Sequence, residues 1–346
     1  MQRLVFQLIS IVLAASVPVA AFAQGHVVVD TLHSRALQSN RIGDTPNRAI
    51  TVYLPPSYGR DTAKRYPVVY LLHGFTSDPQ EWLDGTYQGL NLRFAADSLA
   101  GVGLTEFIVV LPHADNAFGG SFYVNSAAFG NWEEFVAREL VAFIDARYRT
   151  FPTRQSRGLA GQSMGGFGAL YLAGRHPDVF GHVYAASPCC LAFVGDLAPT
   201  SDVWRAAPTR WRRAMAAAFT PAPPSEQLIT SAKVPFAVGT DGQLHQVDAV
   251  EHAWREYLPL YRLARDPAPY RRLCSIALDA GRQDEIPNVT LGAQGFADEL
   301  TRAGIPHTFE LFTGGHVDRT RERFTRAMLP FFAHALASLA GKGNCP

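Results

Sequence analysis

Ser163 lies between two glycines, in Gly161-Gln162-Ser163-Met164-Gly165. Before it, Ser156 to Ala160 reads as a short strand entering a turn; after it, Gly166 to Ala173 is a small, apolar run of helical length. A G-x-S-x-G between a strand and a helix makes a turn so tight that only glycines fit beside it, and the turn pushes the serine hydroxyl out above the sheet. The five-residue pattern is common by chance. Its strand-and-helix context favours a nucleophile over a plain glycine-rich turn.

A serine hydroxyl is a poor nucleophile at neutral pH and needs a base within hydrogen-bond reach. In a sheet of this kind the order is nucleophile, acid, histidine. His316 follows the last strand-like run, in Phe312-Thr313-Gly314-Gly315-His316, where two glycines let the chain turn and present the imidazole. The acid should lie just past the preceding strand, where Asp279, Asp284 and Glu285 all occur. Asp284 is favoured, because it sits in a loop able to curl back towards His316 while Asp279 is still close to the strand. A tetrahedral intermediate also needs two donors for its oxyanion. The amide of Met164 is one, and that of Phe75, just past His73-Gly74, is the nearest candidate for the other.

These residues need a scaffold. Val27 to Thr31 and the alternating Arg48 to Leu54 read as strands, and Val68 to Leu72 and Phe107 to Leu111 as continuous apolar strands of the kind buried on both faces. Asn131-Trp132-Glu133-Glu134 predicts a helix start with an asparagine cap and a Glu three positions on. Val179 to Ala186, Leu273 to Leu278 and His307 to Phe312 complete the strands, with helices over Asn288 to Arg302 and Asp318 to Ala340. Strands alternating with helices predict an α/β protein with a mostly parallel sheet covered on both faces. The stretch from about 189 to 270, Pro-rich and carrying Trp204, Trp211, Trp254 and Tyr257, breaks the alternation and reads as a helical insertion on the sheet's rim. Its aromatic residues either stack on a substrate or form the insertion's own small core.

The first 23 residues read as a signal peptide, with a basic Met1-Gln2-Arg3, an apolar Leu4 to Ala20 and the small-x-small Ala21-Phe22-Ala23. The expectation is an exported chain, periplasmic or secreted, that starts at Gln24 and has no stable membrane insertion after cleavage; the hydrolase domain then runs over 24–346. The chain carries 31 basic and 30 acidic residues. Loss of Arg3 with the leader leaves 30 of each, so there is no electrostatic reason to expect a nucleic-acid partner. Cys189, Cys190, Cys274 and Cys345 allow three full pairings and match no zinc spacing, and Cys274, in an apolar run, is expected as a buried free thiol.

With these residues in view, the chain resembles the putative-esterase family of α/β-hydrolases, which includes S-formylglutathione hydrolases, feruloyl esterases and the antigen 85 mycolyltransferases. The resemblance rests on Leu71-Leu72-His73-Gly74-Phe75 with Trp82 a few residues on, Gly120-Ser121-Phe122-Tyr123, Asn131 to Leu140, and Gly161 to Gly166. It implies an α/β-hydrolase fold and a Ser163–Asp284–His316 triad, the acid matching the family's G-x-x-D at Gly281-Arg282-Gln283-Asp284. It implies oxyanion donors at Phe75 and Met164, and substrate contacts at Trp82, Phe122 and Tyr123. No metal or organic cofactor is required. The expected substrate is a small-molecule or polysaccharide-linked ester. An antigen 85-like acyltransferase is the first alternative; a peptidase and a non-catalytic binding module on the same fold rank below it.

Overall fold

The computed structural model describes residues 24–227, 232–337 and Cys345. The expected leader, residues 1–23, and the end of the predicted closing helix lie outside the described residues. Eight strands form the main sheet: β1 (His26–His33), β2 (Asn47–Leu54), β3 (Val68–Leu72), β4 (Ile108–Pro112), β5 (Arg157–Gln162), β6 (His182–Ala186), β7 (Ser275–Gly281) and β8 (Thr308–Phe312). Their order across the sheet is β1-β2-β4-β3-β5-β6-β7-β8. β1 and β2 enter antiparallel, and every pair from β4 to β8 is parallel. This is the mostly parallel sheet the alternation predicts.

Burial along the strands follows the hydrophobic pattern. β3, β4, β5 and β6 are buried at every residue, as strands covered on both faces must be. The edge strands β1 and β8 are exposed or half-buried along most of their length. Because β3 and β5 to β8 are parallel, the loops that follow Leu72, Gln162, Ala186, Gly281 and Phe312 emerge along one edge of the sheet. Ligands in open α/β sheets bind outside that edge.

The chain between β6 and β7 holds the helices Arg210–Phe219, Asp248–Arg255, Pro259–Arg265 and Ala268–Arg271 and a small hairpin of Phe236–Val238 with Leu244–Gln246. Most of its aromatic residues pack inward. Trp254 is fully buried against Trp204, Phe193 and Phe219, and Tyr257 stacks on Phe219 with ring centroids 4.8 Å apart. This cluster merges with the core on the sheet's face rather than standing apart.

Three local expectations change. Asn131 does not cap its helix with its side chain; Asn125, paired opposite it in a two-residue ladder, accepts from the Glu134 amide instead at 3.2 Å. The closing helix begins at Thr320, not Asp318. Cys274 is not a free thiol. It is bridged to Cys345, with Cα atoms 4.8 Å apart, tying the chain's end to the start of β7. Closing a loop of 71 residues this way is worth about 4 kcal/mol in the chain-entropy account. The nearby His182 is no metal ligand, since its ring nitrogens are occupied by Ser275 Oγ at 2.7 Å and the Gln155 carbonyl at 2.9 Å.

Candidate active site

β5 delivers the serine. Gln162 ends the strand, the helix Met164–Arg175 starts one residue later, and Ser163 between them has φ 58° and ψ −118°. A side-chain-bearing residue in that region is strained, and such strain persists only where its surroundings hold it. Here they do. A methyl group on Gly161 would overlap the backbone of Gly165, and one on Gly165 would overlap the Leu72 carbonyl, so the turn closes only with glycine at both positions. Ser163 itself stays partly accessible while Gln162 and Met164 are buried.

The histidine comes from the loop after β8 and is held at four points. Its Nδ1 lies 2.8 Å from Asp284 Oδ2, in an ion-pair geometry whose side chains are 9% and 0% exposed. Its own amide donates to Glu285 Oε2 at 3.0 Å, a bond that holds the Glu285 carboxyl below its usual range. Its carbonyl accepts from Gln162 Nε2 at 3.4 Å and Arg323 Nη1 at 3.5 Å. With Nδ1–H donating to a carboxylate, Nε2 is left as the basic nitrogen. Asp284 is fixed in turn, its Oδ1 accepting from the Ile286 amide at 2.9 Å.

Asp279 is engaged elsewhere. It accepts from Tyr184 Oη at 2.8 Å and from the Ser187 amide at 3.2 Å, and it pairs with Arg323, all of them buried. Glu285 reaches the His316 backbone rather than its ring.

The loop after β3 forms another wall. His73 is buried and bridges two segments, its Nδ1 at 2.8 Å from the Gly74 carbonyl and its Nε2 accepting from the Ala114 amide at 2.9 Å. Burial pushes its pKa down, which keeps the ring neutral in the one tautomer that serves both bonds. Phe75 follows at the cavity wall.

Ser163, Met164, His316, Phe75 and Phe122 line one cavity of about 460 Å³, within the size of small-molecule sites. Asp284 stands behind His316, and the structure brings it to the ring. Two of the expected substrate contacts, Trp82 and Tyr123, are not among the residues lining this cavity. Trp82 is fully buried, donating to Ser77 Oγ at 3.0 Å and stacked with Tyr87, on the far side of the sheet from the cavity walls. Tyr123 is fully buried too, and its hydroxyl donates to the His73 carbonyl at 2.9 Å, so it braces the loop before Phe75. Of the insertion's aromatic residues only the half-buried Trp211 reaches the cavity; Trp204 and Trp254 belong to the core.

Sequence reasoning missed Cys189, Cys190, Asp196 and Asn288, which line the same cavity. The two cysteines come three and four residues after β6, on the edge of the sheet where the loops after the parallel strands emerge, a placement that was available as a signal. Asp196 and Asn288 carry no local pattern. They meet across the chain, the Asn288 side chain donating to Asp196 Oδ1 at 2.8 Å.

Comparisons with known proteins bear on the family and the fold. The model of a family described as putative esterase matches residues 39–333. An esterase of Mycobacterium tuberculosis is 29% identical over 290 residues, covering 82% of this chain and 55% of that protein. An endo-1,4-beta-xylanase/feruloyl esterase of Xylanibacter ruminicola is 32% identical over 138 residues, 38% of this chain and 18% of the relative. The chain thus spans about half the length of the mycobacterial relative, and less of the second. Among solved structures, a ferulic acid esterase superposes with a TM-score of 0.63 at 26% identity, covering 90% of this chain and 99% of that one. An S-formylglutathione hydrolase from Agrobacterium tumefaciens, at 21% identity and a TM-score of 0.59, shares the fold over 91% of this chain and 97% of its own.

Proposed function

Because the chain belongs to the putative-esterase family of α/β-hydrolases, we propose that it is a serine carboxylic-ester hydrolase working through an acyl-enzyme on Ser163. The observation that carries this reading is the Asp284–His316 hydrogen bond at 2.8 Å, in the wall of the cavity that also exposes Ser163 on its strained turn. In the proposed mechanism Nε2 of His316 takes the Ser163 proton as Oγ attacks the acyl carbon. Asp284 accepts from Nδ1 and stabilises the imidazolium. The amides of Phe75 and Met164 receive the oxyanion, and Met164, at the first turn of a 12-residue helix, adds that helix's positive end. His316 then returns the proton to the leaving alcohol, and water, activated by the same histidine, releases the acid.

The walls bear on substrate class. Phe75, Phe122, Met164, Trp211 and Ile286 offer apolar and aromatic surface, while Asp196 and Glu285 disfavour an anionic ligand. The reading is therefore an uncharged ester with an aromatic or similarly apolar acyl group. Export by the leader over 1–23 belongs to the same proposal; no helix among the described residues is long and apolar enough to cross a membrane.

The test is a panel of p-nitrophenyl and feruloyl esters, with covalent labelling by a fluorophosphonate. The label is expected on Ser163, and Ser163→Ala should keep the fold and lose roughly five to six orders of magnitude in kcat. A label on another residue, or ester cleavage at the parent rate by Ser163→Ala, refutes the assignment. Addition of an alcohol acceptor separates hydrolysis from acyl transfer by product analysis.

A further inference from the structure

Cys189 and Cys190 are adjacent in sequence, and their Sγ atoms lie 2.7 Å apart, closer than two non-bonded sulfurs rest. Both line the cavity that holds Ser163, and among the described residues they are the free cysteines. The pair is held rather than loose. The Cys189 amide donates to the Ser163 carbonyl at 3.3 Å, and the Cys190 amide donates to Asn288 Oδ1 at 2.7 Å. Asn288 is itself fixed to Asp196 by its amide at 2.9 Å and its side chain at 2.8 Å.

The backbone is bent to make the approach. Neighbouring Cα atoms are about 3.8 Å apart across a trans peptide, short of the roughly 4.4–6.8 Å that disulfides usually span. Adjacent cysteines therefore meet only if the torsions around them turn the two side chains to one side. Here Cys190 has φ 62° and Ser187, just upstream, has φ 41°, both in the left-handed region that side-chain-bearing residues avoid. Strain of this kind persists where the surroundings impose it, and it clusters at functional sites. Nothing in the proposed ester chemistry uses either thiol.

We propose that Cys189 and Cys190 form a redox modification site, closing to a vicinal disulfide in the wall of the cavity and thereby changing which acyl groups the cavity admits. The oxidant is a low-molecular-weight disulfide, RSSR. Cys189, the more accessible of the two at 8% against 1% exposed, attacks one sulfur of RSSR as its thiolate and releases the first RS⁻. Cys190 Sγ then gives up its proton, attacks Cys189 Sγ in the mixed disulfide and expels the second RS⁻. The protein loses two hydrogens and two electrons, and RSSR becomes two RSH. Burial beside the neighbouring sulfur pushes the Cys190 thiol well up, so it waits as the resolving thiol rather than the attacking one. The chain already holds a disulfide at Cys274–Cys345, which fits a compartment where such bonds persist.

The modification is tested on the whole chain, independently of activity; only its effect on acyl choice rests on the hydrolase reading. The purified protein is equilibrated with oxidised glutathione, then denatured and alkylated, and its peptides are analysed by mass spectrometry. Expected are no alkylated cysteines and a single uncleaved peptide carrying both Cys189 and Cys190, two hydrogens lighter than its dithiol form. Mild reductant should restore those two thiols before Cys274 and Cys345, because the strained ring opens first. Two alkylated thiols after oxidation, stable glutathione adducts, or a cross-link from either residue to Cys274 or Cys345 each overturn the proposal. In the kinetic arm, closing the ring should change kcat/KM for a bulky aromatic ester relative to an acetyl ester by about tenfold, the scale of a methylene-sized change in an apolar pocket. An unchanged ratio overturns the role in acyl choice. Absence of ester cleavage in both redox forms refutes the hydrolase reading and leaves the mass result standing.

Discussion

Replacing Asp279 and Asp284 by asparagine, one at a time, should damage the protein in two different ways. The Asp279 carboxylate is buried with Arg323, whose side chain is 5% exposed against 2% for the aspartate. Removing one member of such a pair leaves the other charge buried without compensation, which costs about 3–5 kcal/mol. Unfolding entropy of about 2.1 cal/mol/K per residue, over roughly 320 residues, converts this to a fall in Tm of about 4–8 °C. Asp284 faces no buried arginine in its hydrogen bonds, and asparagine keeps an oxygen for the Ile286 amide. Its loss should therefore cost about 1–2 kcal/mol and only a few degrees. The catalytic effects should invert. Asp284→Asn removes the acceptor 2.8 Å from His316 Nδ1, favours the wrong tautomer and should lower kcat by about four orders of magnitude. Asp279→Asn should retain most of its kcat at 25 °C. Calorimetry and steady-state ester kinetics on both purified variants decide the matter. A well-folded but inactive Asp279→Asn, beside an active Asp284→Asn, would refute the assignment and move the acid to Asp279.

Alanine at Trp211, which reaches the cavity, should change kcat/KM between bulky and acetyl esters while leaving Tm within a few degrees; Trp254→Ala should instead lower stability by about 3–5 kcal/mol and spare substrate ranking. The same change in ranking from both variants would contradict the division between cavity and core. His182 gives a pH prediction. Burial, only partly opposed by the Gln155 carbonyl, pushes its pKa from 6.5 down to about 4. The fold keeps this ring neutral while the unfolded chain protonates it, so the group's contribution is full above about pH 6.5 and is lost as pH falls towards 4, by about 3 kcal/mol. Urea titrations at pH 7.5 and 4.5 should show a flatter pH dependence for His182→Gln than for the parent, and equal slopes would sink the idea.

The sheet was legible because its central strands are continuous apolar runs, and the turn at Ser163 because glycine is required on both sides for steric reasons visible in the spacing. His316 and Asp284 were legible from order along the chain, since parallel strands send their following loops to one edge. Other residues were illegible for physical reasons. Trp82 and Tyr123 have the side chains of substrate contacts and of core alike, and only burial distinguishes them. Asn131 has the right type and spacing for a cap, but the competing acceptor, Asn125, arrives through a two-residue ladder that no periodicity marks. The Cys274–Cys345 bridge depends on where the chain's end returns, and neither cysteine's neighbours encode that.

The position of His316 depends on more than Asp284. Its backbone is tied to Glu285 after β7, to Gln162 at the end of β5, and to Arg323 in the closing helical segment. Gln162 is the residue before Ser163, and it also bonds Tyr87, so one side chain links the His316 loop to the Ser163 turn and to the second face of the sheet. Arg323 is oriented by Asp279 and Ser187, and Ser187 begins the strained segment that carries Cys189 and Cys190. Each tie is individually modest, about 1 kcal/mol for the neutral bond from Gln162 and about 1.5–3 kcal/mol for a well-formed bond to a charged group such as Glu285 or Arg323. Together they hold the glycine-rich loop that carries His316 at the edge of the sheet where the Ser163 turn also lies, so that both residues line one cavity. Loss of one outer tie should therefore cost far less activity than loss of Asp284, because among the described residues Asp284 is the one hydrogen-bonded to the imidazole ring itself.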